Sequence, residues 1–258
     1  ALASVAHGQI YNLRQAWSDA ANPSGYGLLC AGTVVLPSVP AWQAALGGWS
    51  VAQPAWAFSS DGSNRLPVFM RSNGSETFAH DWLAGDILVH SQDDFNGVGS
   101  GPARIVWTAP DIGHLSISGS AWPGRNIGRA NHWTLYHRGV ALSDGQLDGS
   151  GPYSRANPFL FSAGSGGPAA LQNIAVQGGD TIVLEITRTT AAGDFVGLEI
   201  QIDYTSRCYP NCDHATGVQP CLNVLDFACF LNQFAAGNPY ANCEGSTTPP
   251  VLNVLEFI

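Results

Sequence analysis

The chain has 258 residues, enough for one large domain and a small one, and its 11% charged and 10% aromatic content with eight Trp fills a core and argues against general disorder. All ten basic residues are Arg, set against nineteen acids, and the net charge of −9 comes without any basic run. That argues against nucleic acid and against an anionic membrane surface, both of which need clustered cations, and no apolar run approaches the roughly 18–20 residues of a bilayer-spanning helix.

In chain order, Gln9–Leu13, Leu28–Leu36 and Leu66–Met70 are β-rich but irregular, and Pro37–Trp42 and Gly47–Trp56 read as Pro- and Trp-containing loops between them. Leu13–Ala21 is the one weak helical candidate of the body. From Asp86 onward the pattern becomes regular. Asp86–His90, Arg104–Thr108, His114–Trp122, His132–Arg138, Leu171–Val176, Asp180–Arg188 and Asp194–Tyr204 alternate apolar and polar residues as half-buried strands do. Ile182, Leu184 and Ile186 point one way while Thr181, Val183, Glu185 and Thr187 point the other, and Val196, Leu198, Ile200 and Ile202 line one face. Arg138-Gly139 reads as a two-residue hairpin into Val140–Leu142. Many short strands with one polar face and Gly/Pro-rich turns predict an all-β antiparallel sandwich, jelly-roll-like, over 1–205.

The run Val106–Pro110, then Gly113–Gly119, Trp133–Arg138 and Gly178–Ile182, resembles carbohydrate-binding-module-like jelly rolls of secreted proteins over roughly residues 86–204. What this implies is a jelly-roll body, with glycan binding as one of the roles open to it.

Catalytic motifs are missing from the sequence. It has no Gly-x-Ser-x-Gly elbow, no His-Glu-x-x-His, no phosphate-cradling Gly loop followed by Lys and no dinucleotide fingerprint. The one constellation of metal or acid–base type is His80-Asp81, Asp86, His90 and Asp93-Asp94; the alternative is that these are loop-end polar residues in turns. His132 and His137 are an odd number apart, which places them on opposite faces of a strand. Exposed aromatic rings stack on sugars, and Trp49, after Gly47-Gly48, and Trp122, before Pro123-Gly124, are the expected surface candidates for ligand binding. No catalytic residue is assigned.

Residues 206–258 form a second region in which the sequence repeats. Cys212-Asp213 opens a segment through Leu222-Asn223-Val224-Leu225-Asp226-Phe227, and Cys243-Glu244 reopens it through Leu252-Asn253-Val254-Leu255-Glu256-Phe257. The second copy ends soon after its Phe. Val224, Phe227, Ala228, Leu231 and Phe234 fall at helical spacing, with Gly237 placed as the residue that ends the helix. Five of the six cysteines lie here, without a Cys-x-x-Cys pair, which indicates disulfides and an extracellular or cell-surface location rather than zinc. Cys208 and Cys221 are both missing from the second copy and so pair with each other. Cys212 and Cys229 then close the unit, Cys243 is left for a cysteine further on, and Cys30 is a free, buried thiol.

Asn223-x-x-Asp226 at the loop–helix junction resembles the second half of a dockerin calcium loop, and the tail as a whole resembles the GC-type dockerin tails of secreted bacterial proteins. The resemblance implies calcium at Asp213, Asn223 and Asp226 and attachment to a protein partner. Departures are plain: the loop is two residues too long, its third and fifth ligand positions lack acids, and Glu256 replaces Asp in the second copy. A disulfide-held helix pair with a polar turn is the alternative. The reading for the whole chain is a non-catalytic extracellular structural or surface protein, with body and tail contacting protein partners or other copies through sheet edges and the tail. A glycan-binding, lectin-like module is the first alternative, and a polysaccharide-acting hydrolase the second.

Overall fold

The computed structural model describes residues 8–21, 28–44, 47–59, 66–93, 101–110, 113–206 and 224–237. In chain order these form β1 (Gly8–Asn12), the short helix α1 (Leu13–Ala16), β2 (Leu28–Ala31), β3 (Val34–Val35), β4 (Ser38–Trp42), β5 (Gln53–Trp56), β6 (Val68–Arg71), β7 (Ile87–His90), β8 (Ala103–Thr108), β9 (Gly113–Pro123), β10 (Ala130–His137), β11 (Val140–Asp148), β12 (Phe159–Leu160), β13 (Ile174–Val176), β14 (Thr181–Arg188), β15 (Phe195–Ser206) and the helix α2 (Val224–Ala235). No helix among them is long and apolar enough to cross a membrane.

The strands make two antiparallel sheets. The larger runs β12-β9-β15-β7-β6-β5-β4, with β1 added on β15 and β13 on β9; the smaller runs β11-β10-β14-β8-β2-β3. The chain changes sheet between β1 and β2, β3 and β4, β7 and β8, β8 and β9, β9 and β10, β11 and β12, β13 and β14, and β14 and β15, the alternation that a jelly-roll-like connectivity calls for. The predicted sandwich is therefore present, and its core follows from the period-two pattern. Ile182, Leu184, Ile186, Trp133, Leu135, Ile105 and Trp107 of the smaller sheet face Leu115, Ile117, Val196, Leu198, Ile200 and Ile202 of the larger, all buried. Trp133 is fully enclosed and meets Phe159 and Phe161 at ring-centroid distances of 5.4 and 4.9 Å. Removing a ring so placed costs on the order of 3–5 kcal/mol.

The irregular N-terminal third differs from its sequence reading. Pro37–Trp42 and Gly47–Trp56, read as loops, contain β4 and β5. Pro40 hid the first of these, and β4 tolerates it because it is the last strand of its sheet, where a missing N–H breaks no ladder. The helical stretch expected over Leu13–Ala21 closes at Ala16, capped by Asn12 Oδ1, which accepts from Gln15 N at 3.1 Å. Leu171–Val176 enters as a 3-10 turn over Pro168–Leu171 and becomes strand only at Ile174.

Segments between β4 and β7 build something more consequential than loops. Trp42, Trp49, Ala55, Ala57, Leu66, Val68, Met70, Trp82, Leu88 and Phe195 form a second apolar cluster on the outer face of the larger sheet. One face of the sandwich is thereby partly roofed. In the smaller sheet, the outward-pointing residues of β10 and β14 (His132, Thr134, Tyr136; Thr181, Val183, Glu185, Thr187) are half-exposed.

In the C-terminal region α2 forms over the predicted helical spacing. Gly237 ends it at φ +65, its N–H donating to Phe234 O at 3.0 Å. Cys229 on α2 is disulfide-bonded, and Cys30 is free and buried as expected. The assignment of Cys208, Cys212 and Cys221 to particular pairs lies outside the described residues, as do Cys243 and the second repeat.

Candidate functional site

The described members of the His/Asp constellation do not converge on one point; Asp94 lies outside the described residues. Asp86, almost fully buried just ahead of β7, takes a two-pronged contact from Arg155 (Nε to Oδ2 2.5 Å, Nη2 to Oδ1 3.2 Å), a bond from Leu83 N at 2.8 Å and an ion pair with Arg14 at 3.3 Å. Burial alone would raise its carboxyl, but these donors outweigh burial and hold it below the ordinary carboxylate range. Asp81 accepts from Arg155 N at 2.6 Å, and His80 lies stacked on Trp82 at 4.3 Å. His90 is enclosed against Phe195, its Nδ1–H donating to Ser91 O at 2.6 Å, and burial pushes its imidazole down toward the neutral form against the pull of Asp93. These side chains tie loops to the sheet. Among the described residues, no group of three or more His, Cys, Asp or Glu is placed to hold a metal ion.

A second polar knot closes the end of the sandwich where β7, β9, β10 and β15 meet. Asp93 Oδ1 accepts from Gly193 N at 2.7 Å, Arg129 donates to Gly193 O at 2.9 Å, and Asn131 Nδ2 donates to Asp194 O at 3.4 Å. Asp194 is buried there, and burial raises its carboxyl to about 6, with the Phe195 N–H and the charges of Arg125 and Arg129 opposing.

The two Trp expected at the surface are inside. Trp49 is 8% exposed, edge-on to Trp42, Phe78 and Phe195, within the second cluster. Trp122 is 3% exposed, lies over Gly197 so closely that a Cβ there would come within 2.2 Å of its ring, and donates its indole N–H to Asp81 O at 2.7 Å. Neither offers a ring face to a sugar. Beside Trp49, Gly47 and Gly48 do turn the chain, at φ 78 and 109, whereas Gly124 beside Trp122 serves close approach to the Trp82 ring. Of the eight Trp, only Trp17 is half-exposed, with its indole N–H on Asp19 Oδ1 at 2.8 Å.

What remains open is the outer face of the smaller sheet. Its strand pairing sets residues in rows: Gln146, His132 and Thr187; then Asp144, Thr134, Glu185 and Arg104; then Tyr136, Val183 and Val106. His132 Nε2–H donates to Asp144 Oδ2 at 2.8 Å, and Nδ1 faces Gln146 Oε1 at 3.3 Å. Gln146 spends its amide N–H groups on Asp148 Oδ1 (3.1 Å) and Thr189 Oγ1 (2.8 Å). Asp144 also accepts from the Ser165 hydroxyl, and that bond, then His132, holds its carboxyl below the ordinary range. Arg104 Nε donates to Glu185 Oε2 at 2.5 Å. Side chains on this face keep exposures of 30% (His132), 37% (Asp144) and 33% (Arg104). Adjacent strands stand about 4.8 Å apart, a spacing comparable with one pyranose ring. The face can hydrogen-bond vicinal hydroxyls in both senses beside the Tyr136 ring. Sequence alternation placed these residues outward, but no motif set them apart, because rows across strands exist only once register is known.

No known protein family matches the sequence, and no curated protein does. Among solved structures, the chain is similar to the CBM36-1 domain of a multidomain xylanase from the hindgut metagenome of Trinervitermes trinervoides, at 12% identity and TM-score 0.29, over 49% of this chain and 86% of that one. It is also similar to a carbohydrate-binding module CBM36 in complex with calcium and xylotriose, at 16% identity and TM-score 0.22, over 40% of this chain and 73% of that one. A third likeness is to the insecticidal delta-endotoxin Cry8Ea1 from Bacillus thuringiensis, at 13% identity and TM-score 0.23, over 54% of this chain and 19% of that one. At TM-scores this low the likenesses carry no argument about activity. The sandwich stands on its own sheets.

Proposed function

We propose that the chain is a non-catalytic, extracellular glycan-binding protein whose sugar surface is the outer face of the smaller sheet. The observation that carries this is the half-exposed set His132, Thr134, Tyr136, Asp144, Gln146 and Thr187 on adjacent strands, where the opposite sheet buries its aromatics instead. Orienting polar groups around an aromatic ring fit a ligand whose every ring edge carries hydroxyls. The carboxylates of this face are each bonded to a neighbouring side chain, which suits positioning rather than proton transfer. A glycan array is expected to give binding that falls at least tenfold in His132→Ala and in Tyr136→Ala at unchanged melting temperature. An array that stays dark for the wild type contradicts the reading.

Association with protein partners or other copies is the second reading, and one observation favours it. Phe227 and Leu231, one helical turn apart on α2, are 57% and 38% exposed. In this reading the division into a body (1–205) and a dockerin-like tail (206–258) makes the tail the attachment element. Calcium at Asp213, Asn223 and Asp226 belongs to that reading; Asp213, Asn223 and the Asp226 side chain fall outside the described residues. Phe227→Ser with Leu231→Ser is expected to abolish any concentration-dependent assembly seen by light scattering, and EDTA to lower the tail's melting temperature. A wild type that stays monomeric at high concentration sinks the self-association version.

A further inference from the structure

The charge on the smaller sheet's outer face points beyond binding as such to the class of glycan. We infer that this surface takes neutral polysaccharides and rejects acidic ones, an inference that rests on the binding reading above. Its carboxylates are Asp144, Glu185 and Asp148; its cation is Arg104, joined by His132 when protonated. Arg104 is already committed through Nε to Glu185 Oε2 at 2.5 Å, and His132 through Nε2 to Asp144. The neighbouring guanidinium of Arg188 turns to backbone, with Nη1 donating to Thr190 O at 2.7 Å and Ala191 O at 3.1 Å. The sequence contains no Lys to supply another cation.

A uronate or sulfate ester laid across these rows therefore meets carboxylates without a guanidinium free to pair with it, and like charges brought together at an interface are costly. Recognition of anionic groups depends on bidentate or point cations. Hydroxyl groups need none. They donate to Asp144 and accept from Thr134 or Tyr136, and their bonds to carboxylates are charge-assisted. The surrounding charge has the same sign, since the whole chain carries −9.

The test is retention of the full chain on immobilised neutral polymers (arabinoxylan, mixed-linkage glucan, galactomannan) and acidic ones (polygalacturonate, alginate, heparin), for wild type, Asp144→Asn and the double variant Asp144→Asn/Glu185→Gln. Melting curves check that each is folded. Wild type is expected to bind at least one neutral polymer at least tenfold more tightly than any acidic one, with little dependence on salt. The double variant, whose Arg104 loses its carboxylate, is expected to gain salt-sensitive retention on acidic polymers; Asp144→Asn alone, at an exposed position, gives a smaller gain in the same direction. Wild type that prefers acidic polymers overturns the inference while leaving glycan binding intact. Wild type retained by none of them removes the binding reading and the inference together.

Discussion

Two buried aspartates make opposite demands on pH. Asp194 has its carboxyl raised by burial from 3.8 to about 6, so the folded chain holds that proton more tightly than the unfolded one does. Its contribution is therefore favourable below about 3.8, weakens as the pH rises through the interval to about 6, and above that is a standing cost of at most roughly 3 kcal/mol. Asp194→Asn keeps the oxygen that accepts from Phe195 N and is expected to melt higher than wild type at pH 7.5, with the difference gone by about pH 4. Equal melting at both pH values contradicts this. Asp86 runs the other way: its lowered carboxyl stabilises the fold above 3.8 and loses that effect as the pH falls through its folded value. Asp86→Asn is expected to cost about 1–3 kcal/mol in urea denaturation at neutral pH, the range for hydrogen bonds to charged partners, and less in acid. The sequence showed both residues as polar positions at strand ends. It could not show that Arg155, sixty-nine positions on, folds back onto Asp86.

The hairpin between β10 and β11 was legible because its chemistry is local. Arg138 at φ 51 and Gly139 at φ 78 make the left-handed pair that a two-residue turn requires. Gly139→Ala is expected to cost about 1 kcal/mol, since open space around its Cβ leaves backbone strain as the whole effect. Gly197 on β15 is the contrasting case. Its φ is ordinary, and it matters because Trp122 lies across it on the neighbouring strand. Gly197→Ala must displace that indole, and a cost of about 1–3 kcal/mol with a red shift of Trp fluorescence is expected. Clean alternation made β8, β10, β14 and β15 readable, whereas β4 and β5 were not, because Pro40 and Pro54 interrupt their pattern: Pro40 lies on the edge strand and Pro54 at the register shift between β4 and β5, places where a strand tolerates proline. Trp49 went astray for the same reason: with those strands read as loops, nothing in the sequence announced a second apolar layer to bury it. Trp122 lies on β9, a strand that alternation did place, and it is buried across Gly197 of the neighbouring strand.

For the molecule as a whole, that layer decides which face is left to work. The larger sheet is partly roofed by the Trp42–Trp82 cluster, while the smaller sheet turns His132, Thr134, Tyr136 and Glu185 outward. Trp49→Ala and Trp122→Ala are accordingly expected to lower stability by roughly 3–5 kcal/mol and to leave glycan affinity per folded molecule unchanged. Loss of binding without loss of stability would restore the surface role the sequence suggested for them. The most direct measurement is the pattern of backbone amide shifts as the neutral oligosaccharide that binds best on the array is titrated into labelled protein. Shifts are expected to concentrate on 132–136, 142–148 and 183–187. Shifts gathered instead around Trp17 and Asp19, or along α2, would contradict the assignment of the smaller sheet as the binding face.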